Sequence, residues 1–156
     1  MKPAFCALAL IPLLLAGCAT PPDGQAPEEP ALAALTPRST IDERITYYAQ
    51  VYDVPESLIR RSVQRESGFN PASRHGPYWG LMQIRLDTAR GVGYHGTARG
   101  LLDADTNLKY AVAYLANAYM VAGGNPDRAL ALYAAGYYFE ARRKGLLERL
   151  RKAQDD

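Results

Sequence analysis

Glu66 is the side chain of this 156-residue chain whose type and position best suit acid–base chemistry. In the segment Pro55–Ser67 the apolar residues Leu58, Ile59 and Val63 fall on one helical stripe. Glu66 follows Val63 by three positions and Leu58 by eight, which puts it on the same stripe. A carboxyl group placed there faces the core or a cleft cut into it. It also occupies the last helical turn, where the dipole is negative, and partial desolvation acts in the same sense; both favour the neutral acid. Such a group is a candidate general acid. The competing reading is a glutamate that frays into solvent or pairs with Arg60, Arg61 or Arg65.

No second chemical constellation stands out. Asp87 falls in a short helix, and Asp103 and Asp105 read as caps of the helix that follows them. Gly91-Val92-Gly93-Tyr94-His95-Gly96 has the spacing of a dinucleotide loop, but no strand precedes it and no parallel βαβ pattern surrounds it. His75 and His95 are the only histidines and lack a cysteine or carboxylate frame, so neither a metal nor another cofactor is expected. The 18 Lys and Arg against 16 Asp and Glu leave a formal charge of +2, too little for tracking a polyphosphate backbone, and nucleic acid is not an expected partner. With 48% apolar and 22% charged residues the chain can build a packed core.

The elements that must position Glu66 are helices. Thr40-Ile41-Asp42-Glu43 has the form of a capping box, and Ile41, Ile45, Tyr48 and Tyr52 give the following helix an apolar stripe. A second helix is predicted from Pro55 to Ser67, stopped by Gly68 and Asn70-Pro71. A third begins near Asp105 and ends at Gly123-Gly124. Asn125-Pro126 caps a fourth over Asp127–Ala135, and a last helix is predicted from about Phe139 to Lys152 with Leu146, Leu147 and Leu150 on one face. No segment sustains a period of two, so the prediction is one all-α domain over residues 39–156, with room for a short hairpin in Ser73–Gly80.

The first 38 residues are of another kind. Lys2 precedes an apolar run from Ala4 to Ala16, the order of a secretory signal, and the run is too short and too proline-broken to span a bilayer. Leu15-Ala16-Gly17-Cys18 resembles the lipobox of bacterial lipoproteins. That resemblance implies a leader of residues 1–17 cut before Cys18, with lipid, palmitate included, on that cysteine. Cys6 then leaves with the leader and the mature chain keeps no free thiol. Residues 18–38 carry Pro21, Pro22, Pro27, Pro30 and Pro37 and read as an extended tether. The expected location is the periplasmic side of the outer membrane, since Ala19 replaces the aspartate that retains some lipoproteins at the inner one.

Glu66-Ser67-Gly68-Phe69-Asn70-Pro71, then Gly80-Leu81-Met82-Gln83-Ile84, then Asn107-Leu108 and Ala113-Tyr114-Leu115, resemble in combination and order the catalytic domain of lytic transglycosylases of the soluble-lytic-transglycosylase type. The resemblance spans most of the domain and implies a lysozyme-like fold, peptidoglycan glycan strands as partner, and cleavage of the β-1,4 bond between N-acetylmuramic acid and N-acetylglucosamine to a 1,6-anhydro end. It implies Glu66 as acid and then base. Ser67 would orient the carboxyl or an N-acetyl group, or else cap the helix, and Gln83 would bond the glycan or the catalytic loop. Met82 would line the cleft or pack in the core. Tyr133 would bring its hydroxyl toward the acid. Two departures stand out: Ala134 replaces an asparagine of the family, and His75-Gly76-Pro77-Tyr78-Trp79 replaces small residues, so that Tyr78 and Trp79 either stack on sugar rings or cover the core.

Three functions follow as alternatives: a membrane-anchored lytic transglycosylase acting as a monomer, a hydrolytic muramidase on the same fold, and a catalytically weak peptidoglycan-binding lipoprotein, which Ala134 keeps open. The basic tail Arg142-Arg143-Lys144 with Arg149, Arg151 and Lys152 reads as a solvated helix face, with anionic lipid headgroups or stem-peptide carboxylates as the alternative partners.

Overall fold

The computed structural model describes residues 37–154, with side chains from Thr40 onward. The leader, Cys18 and all of the tether but Pro37 and Arg38 lie outside the described residues. Helix α1 spans Pro37–Tyr52, so it reaches two residues into the expected tether and Thr40 lies within it, where the expected capping box cannot form. The physical reason is Pro37, whose missing N–H costs nothing in the first turn of a helix and whose fixed φ suits it. The predicted stripe holds: Ile41, Ile45, Tyr48 and Tyr52 are all buried.

Helix α2, Glu56–Ser67, starts after Pro55 and ends at Gly68. The middle of the chain forms more sheet than a single hairpin. Strands β1 (Arg74–His75), β2 (Tyr78–Trp79) and β3 (Ile84–Arg85) pair antiparallel in that order, with His75 opposite Tyr78 and Trp79 opposite Ile84. Two-residue strands are too short for their alternation to register in sequence. Helix α3 covers Leu86–Gly91, and a short 3-10 turn covers Ala98–Leu102.

Helix α4, Ala104–Val121, is the centre of the domain and packs against both α1 and α5 (Pro126–Ala135). Its inner face is made of Leu108, Ala111, Val112, Leu115 and Ala118, all fully buried, and the alanines let neighbouring helices approach closely. Asp103 caps it as predicted, accepting the Thr106 amide at 2.8 Å. Asp105 does not cap; it ties α1 to α4 through Arg44 at 3.2 Å and the Tyr48 hydroxyl at 3.0 Å. Asn125 caps α5 by accepting the Arg128 amide.

The predicted last helix is interrupted. Helix α6 covers only Tyr138–Arg143, Gly145 adopts φ +67°, and a 3-10 turn at Leu147–Arg149 leads into extended chain. Glycine takes that left-handed conformation without strain, and the break turns Leu146, Leu147 and Leu150 onto the core from outside a regular helix. No helix of the described residues is long and apolar enough to cross a membrane.

Candidate active site

Three helices converge on the segment that joins β2 to β3. From the end of α2, the Ser67 hydroxyl donates to the Leu81 carbonyl at 2.7 Å. From α5, the Tyr133 hydroxyl donates to the Met82 carbonyl at 2.8 Å. From α4, Asn107 donates from Nδ2 to the carbonyls of Trp79 and Leu101, both at 2.8 Å, and accepts the Met82 amide at 2.9 Å. The segment thus has no freedom to drift, and the buried amide of Asn107 leaves no N–H unspent. Gly80 makes this approach possible. It sits at φ +71°, and a Cβ there would lie 2.3 Å from both Asn107 Nδ2 and the Leu101 carbonyl oxygen.

A cleft of about 530 Å³ opens between this loop and the helices. It is lined by Glu66 from α2, by His75, Tyr78, Gln83 and Arg85 from the sheet and its connection, by Thr88 from α3, and by Tyr114, Tyr133 and the end of α5. Glu66 is the only acidic side chain among the lining residues. Its side chain keeps 23% exposure, and one oxygen accepts Arg65 Nε at 3.0 Å and Nη2 at 2.5 Å. Both alternatives drawn from the sequence therefore hold together: the glutamate lines a cleft and also pairs with a neighbouring arginine. The second carboxylate oxygen makes no hydrogen bond among the described residues. The Tyr133 hydroxyl is held well above the usual tyrosine range, first by burial and then by the Glu66 charge, so it stays a neutral donor. Burial, with the Asp87 charge behind it, raises Tyr114 as well.

The expected site residues divide. Glu66, Gln83, Tyr133 and Tyr78 line the cleft; Ser67, Met82 and Trp79 do not. Ser67 spends its hydroxyl on the loop. Met82 is fully buried and serves the site through its main chain, because both its amide and its carbonyl are taken by neighbouring helices. Trp79 follows Tyr78 on β2 and so points to the opposite face, where it packs on the core under the Arg74 guanidinium at 4.2 Å. Asp87, outside the cleft itself, pairs with Arg85 at 2.7 Å in an adjoining hollow. Sequence reasoning missed Arg85, Thr88 and Tyr114. Only Tyr114 carried a signal, as the middle residue of Ala113-Tyr114-Leu115, one of the strings that carry the family resemblance. Among the described residues no three His, Cys, Asp or Glu side chains come together as a metal site would require.

Residues 43–154 match the family model of the transglycosylase SLT domain. The chain belongs to that family. The match begins six residues into α1 and ends at the last described residue, so it takes in every element that builds the cleft. The SLT domain is a lysozyme-like helical frame of lytic transglycosylases, and with it comes the family's general activity on peptidoglycan. No solved structure matches this chain.

Proposed function

We propose that this protein is a lytic transglycosylase that cleaves the β-1,4 bond between N-acetylmuramic acid and N-acetylglucosamine, with Glu66 as the single general acid and base. The observation that carries the reading is one carboxyl group, with one oxygen uncommitted, in a cleft lined by no other acidic residue. Most glycosidases need two carboxyl groups, one as acid and the other as base or nucleophile. One suffices when the attacking oxygen belongs to the substrate. Glu66 protonates the glycosidic oxygen; as carboxylate it then takes the proton of the C6 hydroxyl, which attacks the anomeric carbon of its own ring and closes the 1,6-anhydro bridge. The attacking group is already tethered, so its effective concentration replaces that of a positioned water. The neutral hydroxyl of Tyr133 donates to the Met82 carbonyl and so fixes the loop beside the cleft.

The wider setting belongs to the same proposal. The chain works as a monomer beside the cell wall, held to the outer membrane by lipid on Cys18 and reaching its substrate through the tether.

Digestion of purified sacculi with residues 37–156, followed by mass spectrometry of the released fragments, tests the reaction. Anhydro ends are expected; reducing ends would make the protein a hydrolase, and no release would make it a binding protein. Glu66→Gln is expected to lower cleavage by about 10³-fold while the far-ultraviolet circular dichroism stays unchanged. Full activity in that variant would remove Glu66 from the mechanism.

A further inference from the structure

His75 enters none of the roles above, yet it is exposed on the cleft wall and bound to Gln83 of the loop. Gln83 is 8% exposed and adopts φ +47°, a conformation disfavoured for a residue with a side chain. One end of its amide faces two main-chain carbonyls, Gly80 at 2.8 Å and Ser73 at 3.2 Å. Carbonyls only accept, so that end is the NH₂ group and the other is the oxygen. The oxygen lies 2.8 Å from Nδ1 of His75. An amide oxygen only accepts, so Nδ1 carries the hydrogen. In the neutral imidazole this fixes the Nδ1–H tautomer, with Ser73 Oγ 3.5 Å from the same nitrogen, and Nε2 then bears a lone pair with no hydrogen-bond partner among the described residues.

Tyr78 stands directly across the strand pair from His75, and both line the cleft that holds Glu66. An aromatic face beside a fixed acceptor suits a sugar ring that stacks through its C–H bonds and offers an O–H or amide N–H at its edge. We infer that His75 is a substrate-binding residue whose Nε2 accepts a hydrogen bond from a hydroxyl or N-acetyl N–H of the bound aminosugar strand, with Gln83 as the positioning residue that sets its tautomer. The inference rests on the proposed glycan substrate. It moves the contact expected of Gln83 to its neighbour: the NH₂ group of Gln83 is spent inside the loop, and what reaches the glycan is the imidazole that Gln83 orients.

The test uses the soluble domain, residues 37–156, labelled with ¹⁵N, and chitotetraose as the probe. Long-range ¹⁵N–¹H spectra report the tautomer before any glycan is added, and the Nδ1–H form is expected for His75; an Nε2–H form overturns the inference whatever the enzyme's activity. On titration of the Glu66→Gln protein with chitotetraose, the Nε2 resonance of His75 is expected to move upfield as the lone pair is engaged. Adding His75→Ala is expected to weaken binding about tenfold, the worth of one hydrogen bond to a neutral acceptor. In the protein that retains Glu66, the same His75→Ala change is expected to raise KM on sacculi more than it lowers kcat. Binding that His75→Ala leaves unchanged overturns the role of His75 while the transglycosylase reading stands. Failure of the intact site both to bind chitotetraose and to cleave sacculi overturns both.

Discussion

Helix α4 holds an irregular stretch of chain at each of its ends, and it does so by the same device. Near its start Asn107, fully buried, takes up the main chain at Trp79, Met82 and Leu101. Near its end Asn117, 2% exposed, accepts the Arg151 amide and donates to the Arg151 carbonyl, both at 2.8 Å, and also donates to the Tyr137 hydroxyl at 3.1 Å. In the second case the asparagine imitates a neighbouring strand. The extended tail it holds is then carried on by the Ala153 amide, bonded to the Val92 carbonyl at 2.7 Å, and by Tyr52. The first segment borders the cleft that holds Glu66; the second ties the tail to α1, α4 and the residue after α3. The difference lies in what is left over once the amide is satisfied. At the Asn107 end, Glu66, His75 and Tyr78 still present polar groups or ring faces to solvent. At the Asn117 end the tail spends its main-chain groups on the protein, and Tyr137, raised in pKa chiefly by burial, is itself buried. One motif serves to pin a working surface and to finish a core.

The comparison can be broken most severely at Gly80. Gly80→Ala forces a Cβ against main chain and onto Asn107 at a positive φ, and is expected to cost about 4 kcal/mol in urea unfolding and to remove cleavage with it. Asn107→Ala comes next. It leaves two carbonyls and one amide unpaired, with an expected loss of about 3 kcal/mol and of most activity on sacculi. Asn117→Ala sharpens the contrast: a cost of about 2 kcal/mol is expected, because the Arg151 main chain is only part-buried and regains some water, while kcat/KM of the folded protein stays within twofold of the parent. If Asn117→Ala lost activity in proportion to Asn107→Ala, the two ends would not be distinct.

The smallest effect is expected at the rim. Arg85 holds the Asp87 carboxyl down to about 2, through hydrogen bonds first, from an ordinary value of 3.8. A carboxyl lowered in the folded state contributes stability above the unfolded value and loses it as pH falls from about 4 towards 2. Both partners are exposed, at 46% and 65%, so solvent screens the pair, and Asp87→Asn is expected to leave Tm at pH 7 within experimental scatter. A large loss there would mean that charge on the rim, rather than the buried amide, holds the loop.

Much of this architecture was legible before any coordinates. The α1, α2, α4 and α5 helices follow from stripes such as Ile41-Ile45-Tyr48-Tyr52 and from stops and caps at Gly68, Asp103 and Asn125. These signals are local, within one or two turns, and local signals survive in a linear reading. The failures have a common cause. Thr40 looked like a cap because the sequence does not say whether Pro37 starts a helix or ends a tether. The last helix was overrun because Leu146, Leu147 and Leu150 face the core from a 3-10 turn and extended chain as readily as from a helix. Met82 and Trp79 were candidates for the cleft, and their burial depends on which way a two-residue strand and its connecting loop face.

The sequence by itself determined that the chain carries a helical domain, that Glu66 falls in the last turn of a helix on its apolar stripe, and that the motif around it resembles that of lytic transglycosylases. Those conclusions need only residue type and spacing. Tertiary structure alone decided that Glu66 shares its cleft with no second acid, that Ser67 and Gln83 spend their donor groups on the loop, and that His75 lines the cleft bonded to Gln83. Each depends on hydrogen bonds between residues far apart in the chain, such as Tyr133 to Met82 across 51 positions. A side chain's free valence is what remains after such partners are counted, and composition and periodicity do not record them.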